Sequence, residues 1–162
     1  MPYYRINKDE QKVYDLKEAR RKIELFCAYQ ERSHKQVKEK LLSFGLLENV
    51  ADELISELIQ ENFLNETRFA ETFTRGKFLI KGWGRIKIKQ HLKQHYVSEY
   101  NINKALKQIK ADEYQEMFET IASKKWAVLK GENAKLKKQK LQRFMYSRGF
   151  ESDMIYDFLR DK

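Results

Sequence analysis

Apolar positions recur every three to four residues along most of this chain, and the pattern repeats itself about every fifty residues. Three stretches fall into step: SHKQVKEKLLSFGLLENVADEL (Ser33–Leu54), GRIKIKQHLKQHYVSEYNINKAL (Gly84–Leu106) and KKQKLQRFMYSRGFESDMIYDFL (Lys137–Leu159). Counted from each start, Val37, Ile88 and Leu141 share one place, and Leu41, Leu92 and Met145 share another one turn later. Gly45, Tyr96 and Gly149 then mark a common turn. Val50, Ile102 and Met154 open the next run, which calls for a one-residue insertion in the middle copy. A helical period nested in a longer repeat specifies stacked helical units, so the expected fold is all-α, an elongated array of three tandem three-helix repeats.

The repeats are expected at 15–64, 65–111 and 112–162, after a flexible or loosely docked arm at 1–14. Asp15 with Glu18, and Ser33 with Gln36, read as capping boxes that open the first two helices, and Asn49 as the cap of the third. Inward faces are assigned to Ala19, Ile23, Phe26 and Cys27; to Val37, Leu41 and Phe44; and to Val50, Leu54, Leu58 and Ile59. In the second repeat Phe69, Ala70, Phe73 and Phe78 precede a break at Gly82-Trp83-Gly84. Ile86, Ile88, Leu92 and Tyr96 follow, and Ser98 or Asn101 starts the last helix of that repeat. In the third repeat Tyr114, Phe118, Ile121, Ala122 and Trp126 precede a loop at 130–133. Then come Leu136, Leu141, Phe144 and Met145, a turn at Gly149-Phe150, and Met154, Ile155, Phe158 and Leu159. The one proline is Pro2, so no later position forces a helix to break.

Charge changes the picture from a neutral scaffold to a binding protein. The chain carries a formal +9, which points to an acidic partner. Between Arg75 and Gln94 stand seven basic residues and no acid, and between Lys124 and Arg148 nine basic residues against Glu132. The first repeat mixes signs over Glu31–Glu39, so a general need for solubility does not explain the other two. Lys81, Arg85 and Lys89 are four apart and line one helical face if the helix continues through the glycines. Together with Arg75, Lys77, Lys87, Lys137, Lys138, Arg143 and Arg148 they form a candidate basic stripe for phosphates or an acidic protein surface. Trp83, between two glycines, either lies exposed to stack on a base or a partner side chain, or plugs the gap between units.

Catalytic and metal chemistry find little support. His91 and His95 have a spacing that can hold zinc, but no third ligand or base accompanies them, and they read as surface histidines. No phosphate loop or nucleophile elbow occurs, so no enzyme activity, metal or cofactor is expected. Cys27 stands alone and reads as a small buried apolar residue. Sequence-specific DNA reading is disfavoured because the third helices offer Asp52, Glu53, Glu57 and Asp157. No secretory signal or membrane-length apolar stretch is present, so a cytoplasmic location without membrane contact is expected.

Three segments resemble the RecX family of bacterial regulators of the RecA recombinase, over about Leu16 to Leu159. They are ERSHKQVKEKLLSFG (Glu31–Gly45), FLNETRFAETFTRGKFLIKGWGRIKIKQHL (Phe63–Leu92) and KLQRFMYSRGFESDMI (Lys140–Ile155). The second is the most specific, with Glu66, Phe69, Ala70, Gly84, Arg85, Ile86 and Leu92 on the family pattern. Glu66 replaces a frequent aspartate, and Tyr96 replaces a turn glycine, so that helix end is expected to close differently. The resemblance implies a protein without an active site that lies in the groove of the RecA–single-strand DNA filament. Such a protein reduces the filament's ATP hydrolysis and strand exchange, and promotes its disassembly or blocks its extension. It implies the filament as partner, with weak direct DNA binding besides, for a monomer. The alternative is a general nucleic-acid binder without filament preference.

Overall fold

A computed structural model describes residues 13–131 and 133–162. Those residues form nine α-helices and no strand: α1 Leu16–Tyr29, α2 His34–Ser43, α3 Glu48–Gln60, α4 Glu66–Leu79, α5 Arg85–Gln94, α6 Glu99–Leu106, α7 Ala111–Val128, α8 Ala134–Arg148 and α9 Ser152–Arg160. They fall into two compact units, one ending at Phe69 and the other running Ala70–Lys162, so the second and third repeats share a unit.

In the first unit, α1 turns Ala19, Ile23 and Cys27 onto Val37 and Leu41 of α2 and Ala51, Leu54 and Leu58 of α3. Burial pushes the Cys27 thiol up to about 11, as desolvation of a thiolate demands. The Asp15 carboxylate accepts from the Glu18 amide and starts α1. Ser33 and Gln36 exchange both hydrogen bonds of a capping box at α2. Between these helices the Arg32 guanidinium lies 3.8 Å from the Phe26 ring centre and donates to the Phe26 carbonyl at 3.0 Å. The Arg32-Ser33 pair thus fastens one helix end and opens the next. Tyr14, the last residue of the expected arm, is docked: its amide donates to the Phe44 carbonyl at 3.1 Å and its ring meets Phe44 edge-on. The rest of the expected arm, 1–12, lies outside the described residues.

The second unit buries Ala70, Thr74 and Phe78 of α4, Ile88 and Leu92 of α5, and Ile102 and Ala105 of α6. Tyr114, Phe118 and Ala122 of α7 join Leu141 and Met145 of α8 and Phe150, Ile155 and Leu159. A run of rings, Phe78–Tyr114–Phe150–Phe118, connects the two repeats at centroid spacings of 5.4–5.9 Å.

The repeats are in closer register than the sequence suggested. The third helices are preceded by Leu47, Ser98 and Glu151, each at the same place in its copy, and Ala51, Ile102 and Ile155 are the equivalent buried positions. No insertion is needed, and Leu47 rather than Asn49 is the cap. Tyr96 has φ 59°, in the same left-handed region as Gly45 at 84° and Gly149 at 88°. Its helix therefore closes in the same way as its counterparts, with Val97 donating to Leu92 as Phe150 donates to Met145. Several positions assigned inward face solvent instead: Ile59, Ile86, Leu136 and Tyr96 are exposed.

Candidate functional site

The helix does not continue through the glycines. α4 ends at Leu79 and α5 begins at Arg85, so Lys81 stands in the corner and shares no helical face with Arg85 and Lys89. The corner itself is a joint. The Gly84 amide donates to the Arg148 carbonyl at 2.7 Å, the Ile86 amide to the Gly149 carbonyl at 3.0 Å, and the Arg85 amide to the Tyr114 hydroxyl at 3.0 Å. The opening amides of α5 are thus satisfied by the closing carbonyls of α8 and a side chain of α7, where a helix start otherwise looks to a cap or to water. The two dipole ends, positive and negative, face each other.

Side chains reinforce the joint. Lys87 Nζ donates to the Ser147 carbonyl at 3.2 Å, and Arg148 reaches back to the Lys81 carbonyl. The Tyr114 hydroxyl donates to Glu151 Oε2 at 2.5 Å, and the Arg85 guanidinium sits 3.8 Å from both the Tyr114 ring centre and Glu151 Oε1. Burial, then the Glu151 carboxylate, push the Tyr114 hydroxyl above its ordinary range. The second and third family-like segments, Gly84-Arg85-Ile86 and Arg148-Gly149-Phe150, therefore meet each other.

The remaining cations sit in several local settings. Lys77 and Lys87 lie 4.9 and 4.5 Å from the Trp83 ring centre, and Lys77 also approaches Phe73 at 5.4 Å. Through Lys87 and Ser147 this group reaches Arg148, which lies 5.3 Å from Phe144, with Lys125 on that ring at 4.8 Å. Further along the third repeat, Lys137 lies 4.0 Å from Trp126. Arg75 is two residues from Lys77 on α4 and so projects the other way. It borders a shallow depression with Phe78, Ile109 and Glu113, and Arg85 borders a neighbouring one with Leu106 and Ile109. Lys89 pairs with Glu99 at 3.0 Å and holds that carboxylate below its usual range. Lys138 is half-buried and Arg143 exposed on α8.

Trp83 packs against rings and cations of its own repeat. It is half-buried in its own repeat against His91 at 4.5 Å, with Phe73 edge-on at 6.4 Å and His95 on the far edge of Phe73 at 5.8 Å. His91 is not a surface histidine. Burial, then Lys87 and Lys77, hold its pKa below the ordinary value, so the ring is neutral at neutral pH. Sequence reasoning missed Phe73, His91, Phe144, Lys125, Tyr114 and Glu151 as parts of these arrangements. The interleaving of aromatic and basic residues in Arg75–Ile88 pointed to Trp83 with Lys77 and Lys87, but Phe73 and His91 lie just outside that segment. No group of three or more His, Cys, Asp or Glu among the described residues is placed to hold a metal. No helix among them is long and apolar enough to cross a membrane.

Among the described residues, nine helices in copies that close with the same turn, two of the copies joined by main-chain bonds and lined with paired cations and rings, define an all-α repeat protein. Residues 65–106 match the second three-helix domain of RecX and residues 112–159 the third. The chain belongs to the RecX family. It is 34% identical over 121 residues to the regulatory protein RecX of Clostridium tetani, covering 74% of this chain and 55% of that one. It is 29% identical over 129 residues to the regulatory protein RecX of Leuconostoc mesenteroides, covering 80% and 48% respectively. The chain therefore spans about half the length of these relatives. The crystal structure of RecX from Lactobacillus salivarius superposes with a TM-score of 0.77 at 23% identity, over 90% of this chain and 94% of that one. Both of these relatives carry the name regulatory protein.

Proposed function

We propose that this chain regulates recombination and repair, without catalysis of its own, by docking on the RecA–single-strand DNA filament and lowering its ATP hydrolysis and strand exchange. The observation that carries this reading is the linked run of cations and rings from Lys77 through Trp83, Lys87 and Arg148 to Phe144 and Lys125. Such a run suits an extended anionic polymer better than a small ligand. Arg75, Lys81, Lys137, Lys138 and Arg143 add positive potential that steers the approach, while Arg85 and Lys89 contribute through the scaffold. Regulation by contact alone needs no catalytic constellation.

The test is co-sedimentation with preformed RecA–single-strand filaments beside bare single strands over a salt series, with filament ATP hydrolysis measured in parallel. Preferential capture by the filament and a fall in ATP hydrolysis are expected. Equal capture by bare strands, with no effect on hydrolysis, would replace this reading by that of a general nucleic-acid binder. Capture of neither would end both.

A further inference from the structure

We propose that Lys77 and Lys87, held over the Trp83 ring, form a clamp for a backbone phosphate of single-stranded nucleic acid. The inference deepens the proposed function: it names the DNA strand, not the recombinase, as what this part of the surface touches. Two ammonium groups share one indole, at 4.9 and 4.5 Å from its centre. They come from different elements, Lys77 from α4 and Lys87 from α5, so the α4–α5 corner fixes their separation. Cation–π attraction offsets part of the entropy that free lysines would lose on binding. Among the described residues neither ammonium has a carboxylate partner, Lys87 donating instead to the Ser147 carbonyl, and no Asp or Glu occurs between Arg75 and Gln94. Lys89 and Lys93, on the same helix, do share one: Glu99. The charge at Trp83 is therefore left for an outside anion.

Burial, and after it Lys87 and Lys77, hold the pKa of His91 down, so the two ammonium groups are close enough to act on that ring. A phosphodiester fits better than a protein carboxylate for two reasons. Lysine binds phosphate as a point charge without bidentate geometry. Rings beside the cations, Trp83 and Phe73 here and Phe144 beyond the joint, offer apolar surface to the bases flanking the phosphate.

The test uses the full chain with both tryptophans labelled as 5-fluorotryptophan, the two 19F resonances being assigned with Trp126→Phe. A twenty-nucleotide thymidine strand is titrated in, with polyglutamate of equal charge as the protein-like comparison. The Trp83 resonance is expected to shift saturably with the strand and not with polyglutamate. Lys77→Gln, which lies outside the joint, should keep the parent melting temperature. It should weaken strand binding by about tenfold and reduce the log–log salt slope by about 0.7, the share of one single-strand phosphate. An unmoved Trp83 resonance with the strand overturns the clamp, as does unchanged affinity in Lys77→Gln. An equal shift with polyglutamate assigns the site to an acidic protein surface and also overturns it. Any of these results beside intact filament co-sedimentation removes the clamp and leaves the regulatory reading standing.

Discussion

Replacing Gly84 with alanine tests whether the main-chain joint holds the second and third repeats together. Gly84 has φ −77°, an ordinary value for any residue, so the substitution adds no backbone strain of its own. A Cβ there would lie 2.2 Å from the Gly149 carbonyl oxygen, 2.4 Å from its carbon and 2.6 Å from the Phe150 nitrogen, all backbone. Relief to van der Waals contact requires the start of α5 to retreat by about 1 Å, because backbone cannot swing aside as a side chain can. That stretches the bonds from Gly84 to Arg148 and from Ile86 to Gly149. Stranding these polar groups in a buried setting costs about 2–4 kcal/mol for the pair. Alanine returns about 0.4–1 kcal/mol by restricting the unfolded chain, which leaves a net loss of about 1–3.6 kcal/mol. For a unit of this size that lowers the melting temperature by roughly 4–29 °C. Gly76→Ala is the matched comparison: its Cβ would meet nothing within 4 Å, and in a helix interior it should stabilise by about 0.5–1 kcal/mol. Thermal melts followed by circular dichroism read both variants. A Gly84→Ala protein that melts within about 2 °C of the parent would refute the idea that this contact is tight and stabilising.

Tyr96 occupies the left-handed region at φ 59° with its side chain 76% exposed, so Tyr96→Gly should gain about 0.5–1 kcal/mol and raise the melting temperature by a few degrees. A fall would show that the contacts of the tyrosine ring outweigh the strain. Tyr114→Phe removes the hydroxyl shared by the Arg85 amide and Glu151 and should cost about 1–3 kcal/mol in urea unfolding, where a neutral result would show that Arg85 alone satisfies Glu151. The Cys27 thiol titrates near 11 when folded against an ordinary 9.0, so its contribution to stability is level below pH 9 and is lost as pH rises towards 11. Unfolding free energies of the parent and Cys27→Ala at pH 8 and pH 10.5 should show the larger drop in the parent, and equal drops would contradict this. His91 titrates below its ordinary value when folded, so its contribution is whole above about pH 6.5 and is lost as pH falls below that. Melting of His91→Gln should depend less on pH between 7 and 5 than melting of the parent.

The helices and their turns were legible because they depend on neighbours in sequence. The Ser33–Gln36 box and the Ser98 cap join residues three apart, and Gly45 and Gly149 sit where a left-handed residue is required. The register of the third helices was misread because Ala51 is too small to stand out as core beside Val50, which is only half-buried. The candidate site was half legible. Interleaved aromatic and basic residues pointed to the Lys77–Trp83–Lys87 group. The fate of Arg85 and Arg148 was hidden because their partners lie far along the chain, and the one Arg148 reaches is the backbone carbonyl of Lys81, which any residue supplies. A basic residue aimed at a carbonyl looks the same in sequence as one aimed at solvent.

The joint also sets an order of events during synthesis. The amides that open α5 find their carbonyl partners only at Arg148 and Gly149, more than sixty residues further along. While a ribosome is still translating α7, the second repeat can collapse around Ile88 and Leu92, but the start of α5 frays in water. Translation runs at about 5–20 residues per second, so that half-finished corner persists for seconds before Gly149 emerges to close it.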